Sequence, residues 1–242
     1  MWIYGLNPVF EALRARRNIK EVYISSGRHE KLFLIKKETE SRGIALRIVD
    51  VAFFNERFPK GHQGIAVKVS EKGYMDLYEL LNIPEKRNEI PFFLILDCIE
   101  DPGNVGAILR SADAAGVHGV IVQEHRSAGL SPAVSKASAG AVEYVPVSQV
   151  SNIKHAISEM KEREITIIGA ESGSGNMPWD VDFSVPAGLV IGSEGRGLRK
   201  TVAEKCDFVV SIPMRGRVNS LNVSAAGAVL MFEVLRQRVR KN

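Results

Sequence analysis

Hydrophobic and polar positions change period along this chain, and the change divides it in two. Near the start, Asn7-Pro8 precedes Val9-Phe10-Glu11-Ala12-Leu13, which predicts a helix opened by an Asn cap with Pro at its first position. Glu21 to Ser25 and Ala45 to Val49 alternate as strands, with helical periodicity between them from Lys31 to Arg42. Ile65 to Val69 makes a third strand after the break at Gly61-His62-Gln63-Gly64. Together these form one small α/β unit, residues 1–70. Residues 71–91 hold Gly73, Pro84, Pro91 and the charged run Glu85-Lys86-Arg87-Asn88-Glu89, so a linker with a short helix at Leu77 to Leu81 is expected. From Phe92 onward, apolar runs alternate with helical stretches. Strands are predicted at Phe92 to Leu96, Gly119 to Val122, Glu143 to Val147, Ile165 to Ala170, Gly188 to Ile191 and Phe208 to Ile212. Helices are predicted at Val105 to Ala115, Pro132 to Ala139, Asn152 to Arg163, Leu198 to Cys206 and Leu221 to Arg240. Near-continuous apolar strands imply a parallel sheet covered on both faces, an α/β fold over residues 92–242.

Charge refines this division. The 242 residues carry 32 Lys+Arg against 28 Asp+Glu, a formal +4. Residues 1–70 hold 13 basic and 7 acidic residues, a net +6, while the remainder holds 19 and 21, a net −2. Arg14, Arg16, Arg17, Lys20, Arg28, Lys31, Lys36, Lys37, Arg42 and Arg47 concentrate in the first unit, as a surface that follows a phosphate backbone requires. Interspersed glutamates leave a solvated helix face as the other reading. No apolar run reaches the roughly 18 residues of a membrane span, and the first residues lack the pattern of a secretion signal, so a cytoplasmic protein is expected. Cys98 and Cys206 stand far apart, and the five histidines have no metal-ligand spacing, so no metal is expected.

Ligands of open α/β sheets sit beyond the carboxyl ends of the strands, and three segments there carry candidate chemistry. After the Phe92 strand comes Asp101-Pro102-Gly103-Asn104, then Arg110; Asp101 reads as a helix cap, which puts Asn104 in the first turn. After the Gly188 strand, Gly192-Ser193-Glu194-Gly195-Arg196-Gly197 is glycine-rich, but its order is not that of the dinucleotide fingerprint. The third segment, Ile212-Pro213-Met214-Arg215-Gly216-Arg217-Val218-Asn219-Ser220-Leu221-Asn222, leads into the last helix, with Asn219 or Ser220 available as its cap.

In this order the three segments resemble the signature motifs of the SpoU-type (TrmH) ribose 2′-O-methyltransferases of the SPOUT superfamily. The segments Ile3-Tyr4-Gly5-Leu6-Asn7-Pro8-Val9 and His62-Gln63-Gly64-Ile65 are similar to that family's small L30e-like RNA-binding domain. Asp113-Ala114-Ala115-Gly116-Val117-His118 and Ser220-Leu221-Asn222-Val223-Ser224 look most like the bacterial members that methylate a guanosine ribose in large-subunit ribosomal RNA. The resemblance implies a C-terminal deep trefoil knot, a homodimer, and S-adenosyl-L-methionine as cofactor. It also implies Asn104, Arg110, Glu194, Ser220 and Asn222 as active-site residues, and Gly192, Ile212 and Leu221 as cofactor-binding ones. The roles of Arg215 and Arg217 stay open.

The reaction needs the 2′-OH aligned with the methyl group and its developing negative charge stabilised. A guanidinium holds its proton throughout the neutral pH range, so it is too rarely neutral to serve as a free base. Arg110 is therefore expected to act mainly as a cationic donor to the substrate oxygen and adjacent phosphate, with the proton lost with that phosphate's assistance and a base role for Arg110 as the other reading, while Asn104 and Glu194 position Arg110 or the target nucleotide. Transfer RNA as substrate, and a non-catalytic RNA-binding module of the same fold, are the competing readings. A dinucleotide-dependent oxidoreductase is disfavoured by the glycine order.

Overall fold

The structure is a computed structural model that describes residues 1–26, 30–173 and 175–239. Its first unit is a four-stranded sheet of β1 (Trp2–Tyr4), β2 (Ile19–Ile24), β3 (Ala45–Ile48) and β4 (Ile65–Val69), in the order β1-β4-β2-β3. Strand β4 runs antiparallel to β1 and β2, and β2 pairs parallel with β3. One face packs Ile3, Val22, Ile65 and Val67 against helices α1 (Leu6–Arg14) and α2 (Glu30–Ser41). On the other face, Tyr4 and Ala66 meet Phe54 and Phe58 around α3 (Val51–Arg57). Strand β1 and helix α3, three and seven residues long, are too short to show a period in the sequence.

Helix α1 begins one residue before the expected cap. Gly5 occupies the cap position at φ +95°, and the Leu6 N–H donates to Gln63 Oε1 at 3.0 Å, 57 positions away. A distant amide thus does the work that the sequence assigns to Asn7, which lies inside the first turn.

Residues 71–91 carry α4 (Leu77–Leu81), as expected, and α5 (Ile83–Arg87). The second sheet has six strands: β5 (Phe92–Asp97), β6 (Gly119–Gln123), β7 (Val147–Val150), β8 (Thr166–Ala170), β9 (Ala187–Gly192) and β10 (Phe208–Val210). Every pairing is parallel, in the order β10-β8-β9-β5-β6-β7. Leu94, Leu96, Leu189 and Ile191 pack on one side with α6 (Pro102–Ala114) and α10 (Val223–Val239). Phe93, Ile95 and Val190 pack on the other with α8 (Ile153–Glu162) and α9 (Lys200–Ala203). Burial on both faces is why these strands are apolar at consecutive positions rather than alternating.

The strand expected at Glu143 to Val147 is displaced. Ala141–Glu143 form a turn of 3₁₀ helix instead, and the strand runs over Val147–Val150. The cause is docking against the first unit, together with a proline. Glu143 pairs with Arg17 at 2.6 Å and the Tyr144 hydroxyl donates to Glu11 at 2.6 Å, which ties the 3₁₀ turn to the first unit, and Pro146, with no N–H to give a ladder, stands just before the strand that follows. Arg17 also donates to the Ser70 carbonyl at 2.8 Å. The side chains of Arg17 and Glu143 are only 9% and 4% exposed.

That burial removes Arg17 from any RNA-binding face. Arg42 is likewise engaged, donating to the carbonyls of Leu13 and Arg17 at the end of α1, and Arg47 pairs with Glu21 at 2.8 Å. Arg28 lies outside the described residues. The basic surface of the first unit is therefore smaller than its composition implies.

Removing one member of a buried pair strands the other charge. Arg17→Ala is expected to destabilise the protein by about 3–5 kcal/mol in denaturant unfolding. Arg14→Ala, whose side chain is 64% exposed and 3.9 Å from Glu11, changes stability by about 0.5 kcal/mol or less.

Candidate active site

Strands β5 and β9 are neighbours, yet the chain leaves β5 toward β6 on one side and β9 toward β10 on the other. Diverging connections open a crevice at their carboxyl ends. The three candidate segments meet there.

From β5, the Asp101 carboxylate accepts the Asn104 backbone N–H at 2.7 Å and caps α6, with Pro102 in the first turn. This is the cap read from the sequence. From β9, the glycine loop closes on itself: Ser193 and Gly197 exchange backbone hydrogen bonds of 3.1 and 2.9 Å. A Cβ added at Gly192 would overlap the backbone of Gly197 and Leu198, and Gly195 and Gly197 take φ of +81° and +66°. Glu194 is thereby held on a tight, exposed tip. In the third segment, the cap of α10 comes from Asn222, neither from Asn219 nor from Ser220. Its Oδ1 accepts from the Ser224 backbone at 2.9 Å and from the Ser224 hydroxyl at 2.6 Å.

One hydrogen-bonded chain joins all three segments. Asn222 Nδ2 donates to Asn104 Oδ1 at 3.0 Å, and Asn104 Nδ2 donates to Glu194 Oε2 at 3.3 Å. Arg110 stands apart from it. Six residues along a helix advance about 9 Å and leave about 120° between the two side chains, so Arg110 projects from another side of α6. It is exposed and makes no hydrogen bond or ion pair among the described residues. Asn104 and Glu194 therefore hold each other rather than Arg110.

Two cavities flank this chain. The smaller, about 310 Å³, is lined by Gly192, Ile212, Ser220 and Leu221, together with Glu171, Met214 and Leu230. No lysine or arginine is among its described lining residues. The larger, about 610 Å³, is lined by Asn104 and the three guanidinium groups of Arg126, Arg196 and Arg199, with Glu100 and Asp101 at the α6 end. Ser193, Glu194, Gly197 and Val223 line both, so the Glu194 residue stands in the wall between them. Among the described residues, no group of three or more His, Cys, Asp or Glu is arranged to hold a metal ion.

Sequence reasoning missed a buried pair beneath the larger cavity. Asp97, the last residue of β5, is fully buried and accepts the Arg199 backbone N–H at 3.0 Å and its Nε at 2.7 Å. Arg199 Nη2 lies 2.6 Å from the same carboxylate and donates to Gln123 Oε1 at 2.7 Å. Burial opposes the charge on Arg199, but hydrogen bonding and attraction to Asp97 outweigh it and raise its pKa. A carboxylate closing a wholly apolar strand was the available signal. Beside it, burial and then the Asp97 charge push the Cys98 thiol up, the wrong direction for a thiolate nucleophile.

Residues 91–232, more than half of the chain, match the SpoU rRNA Methylase family. The chain belongs to that family. Residues 2–75 match the RNA 2′-O ribose methyltransferase substrate binding family. Among similar proteins is YacO of Bacillus subtilis (strain 168), named for the TrmH family of tRNA/rRNA methyltransferases. It is 39% identical over 241 residues, covering 98% of this chain and 96% of that protein. The SpoU methyltransferase AviRb from Streptomyces viridochromogenes, in complex with AdoMet, has a TM-score of 0.83 at 25% identity, over 99% of this chain and 91% of that one. The structure of an RNA 2′-O ribose methyltransferase has a TM-score of 0.79, also at 25% identity, over 99% and 89%.

The two loop glycines separate by mechanism. Gly192→Ala forces backbone apart and is expected to cost about 1–3 kcal/mol of stability through overpacking. Gly195→Ala meets nothing within 4 Å and incurs only the left-handed strain, about 1–2 kcal/mol. Thermal unfolding with near-ultraviolet circular dichroism checks this: only the Gly192 variant should also alter the signal of the native state.

Proposed function

We propose that this SpoU family methyltransferase transfers a methyl group from S-adenosylmethionine to the ribose 2′-OH of a guanosine in large-subunit ribosomal RNA. In this reading residues 1–70 form the substrate-binding domain, residues 71–91 the linker and residues 92–242 the methyltransferase domain. The observation that carries methyl transfer to RNA is the contrast between the two cavities; the guanosine and the large-subunit RNA rest on the resemblance of Asp113 to His118 and Ser220 to Ser224. The smaller has Glu171 and Glu194 and no described cation in its lining, which suits a ligand bearing a positive sulfonium. The larger sets Arg126 and Arg196, neither paired with a carboxylate among the described residues, beside Glu100, Asp101 and Glu194, while Arg199 is neutralised by Asp97; the two unpaired guanidinium groups are what suits a phosphate backbone.

The residues present fit the donor. Gly192 brings the end of β9 to the cavity without a side chain, while Ile212, Leu221 and Leu230 supply apolar surface of the kind that packs a purine. Bound there, S-adenosylmethionine supplies an electrophilic methyl group on a good leaving group. The protein's task is then to bring a ribose oxygen to the shared wall and stabilise its charge. Asn104 and Asn222 fix the Glu194 carboxylate and Ser220 orients the ribose; Arg110, nearly two turns along α6 and lining neither cavity, takes its cationic role toward the 2′-oxygen or an adjacent phosphate from the family resemblance alone. Arg126 and Arg196 have no carboxylate at ion-pair distance among the described residues and are available to RNA phosphates. A ribose in a paired helix does not enter such a crevice, so the target nucleotide is extruded or unpaired.

The homodimer and the trefoil knot belong to the same proposal. Helix α10 exposes a second stripe, Ala225, Val229, Phe232, Arg236 and Val239, opposite the one it buries. Val229 and Phe232 are each 47% exposed and Val239 is 65% exposed, spaced as a packed helix face requires. A second copy of this chain would cover it. The third segment and the glycine loop line one cavity, as a knotted C-terminal part requires of them.

Labelled S-adenosylmethionine offered with purified large-subunit ribosomal RNA and with transfer RNA is expected to mark a single guanosine ribose in the ribosomal RNA. Label in transfer RNA alone would transfer the assignment, and no donor binding would leave an RNA-binding module. Arg110→Lys keeps the charge but loses the planar fork, and is expected to lower kcat by about 100-fold, comparable with the loss of one oxyanion donor. Near-native turnover would exclude a specific guanidinium role. In analytical ultracentrifugation the native chain is expected to sediment as a dimer and Phe232→Glu as a folded monomer.

A further inference from the structure

The tip that carries Glu194 is closed at its base by the paired Ser193–Gly197 backbone hydrogen bonds. Beyond them Glu194, Gly195 and Arg196 are exposed, and two of the six loop positions take positive φ at glycine. The placement of the closed tip over the crevice is therefore set at its two ends. One end is the strand end at Gly192, fixed by the β5 ladder and the close approach to Gly197. The other is Arg199.

Arg199 is anchored by four contacts to two neighbouring strands. Its backbone N–H, Nε and Nη2 all reach the buried Asp97 carboxylate at the end of β5, and Nη2 also reaches Gln123 at the end of β6. It lines the larger cavity, but its charge is spent on Asp97, so it offers little to a bound phosphate. A planar guanidinium fork makes this set of contacts; an ammonium cannot.

We propose that Arg199 is the positioning residue of the active-site loop: through Asp97 and Gln123 it fixes the tip so that Glu194 meets Asn104. The proposal rests on the reading of Glu194 as an active-site group. Asp97 ends the strand from which the Asn104 helix departs, so the pair ties together the two segments whose side chains meet across 90 positions of sequence. Because Arg199 acts through Glu194, which is only one of the residues lining the donor cavity, its loss weakens the chemical step far more than donor binding.

The test uses the full-length protein with labelled S-adenosylmethionine and a large-subunit ribosomal RNA transcript. Four variants are compared: Arg199→Lys, Gln123→Leu, Glu194→Gln, and the double variant of Arg199 and Glu194. A displacement near 1 Å costs up to about 100-fold in rate. Arg199→Lys is therefore expected to lower kcat by about 10- to 100-fold, with the dissociation constant of S-adenosylmethionine within about threefold of native. Gln123→Leu removes only the outer anchor and is expected to lower kcat severalfold, which keeps the idea testable if the lysine variant does not fold. The double variant is expected to lose no more than Glu194→Gln alone. Native kcat in either folded single variant, an additive loss in the double variant, or donor affinity falling as far as kcat would each overturn it. Failure of the functional reading is a different result: no methyl transfer by the native protein to any RNA.

Discussion

Six residues of β5 run parallel and in register against six of β9, from Phe92 beside Ala187 to Asp97 beside Gly192. Most of the site follows from that pairing. Both strands are buried on both faces, so neither can slide or twist away without exposing apolar surface on two sides. Their last residues are therefore fixed beside each other, and the connections that follow must turn apart. The crevice is a consequence of strand order, and segments from distant parts of the chain line it because the sheet brings them there.

Side-chain chemistry then refines what the backbone positions. Asp101 sets the first turn of α6 and with it the direction of Asn104. Asn222 caps α10 with its oxygen while spending its nitrogen on Asn104, so one amide joins the last helix to the sixth. Asn104 uses both ends of its own amide, which leaves Glu194 with a fixed donor and a free second oxygen on the wall between the cavities. A carboxylate so placed serves both sides: it favours a cation on one and limits where an anion settles on the other.

The sheet was legible because its physics is local. A strand covered on both faces needs apolar residues at successive positions, and Phe92 to Leu96 or Gly188 to Ile191 can satisfy little else. The Asp101-Pro102 cap was legible for the same reason. Where the sequence misled, a partner far along the chain decided the outcome. Gln63 took over the cap expected of Asn7, and Arg17 and Glu11 hold Glu143 and Tyr144 at a turn against the first unit. Arg42 and Arg47 look like RNA-binding cations in a list of charges but are occupied in the folded chain. The Asp97 and Arg199 pair spans 102 positions; only Asp97, a carboxylate closing an apolar strand, leaves a local mark, and nothing local points to Arg199 as its partner. The site residues were marked by resemblance; spacing alone predicted neither the contact of Asn222 with Asn104 nor the separation of Arg110 from both.

The central claim is that the Glu194 wall separates a donor site from an RNA site. A crystal structure of the protein grown with S-adenosylmethionine tests it most directly. The donor is expected in the cavity bounded by Gly192, Ile212 and Leu221, with its sulfonium toward Glu194 and the arginine-lined cavity free of it. Donor density among Arg126, Arg196 and Arg199 instead would reverse the assignment of the two cavities.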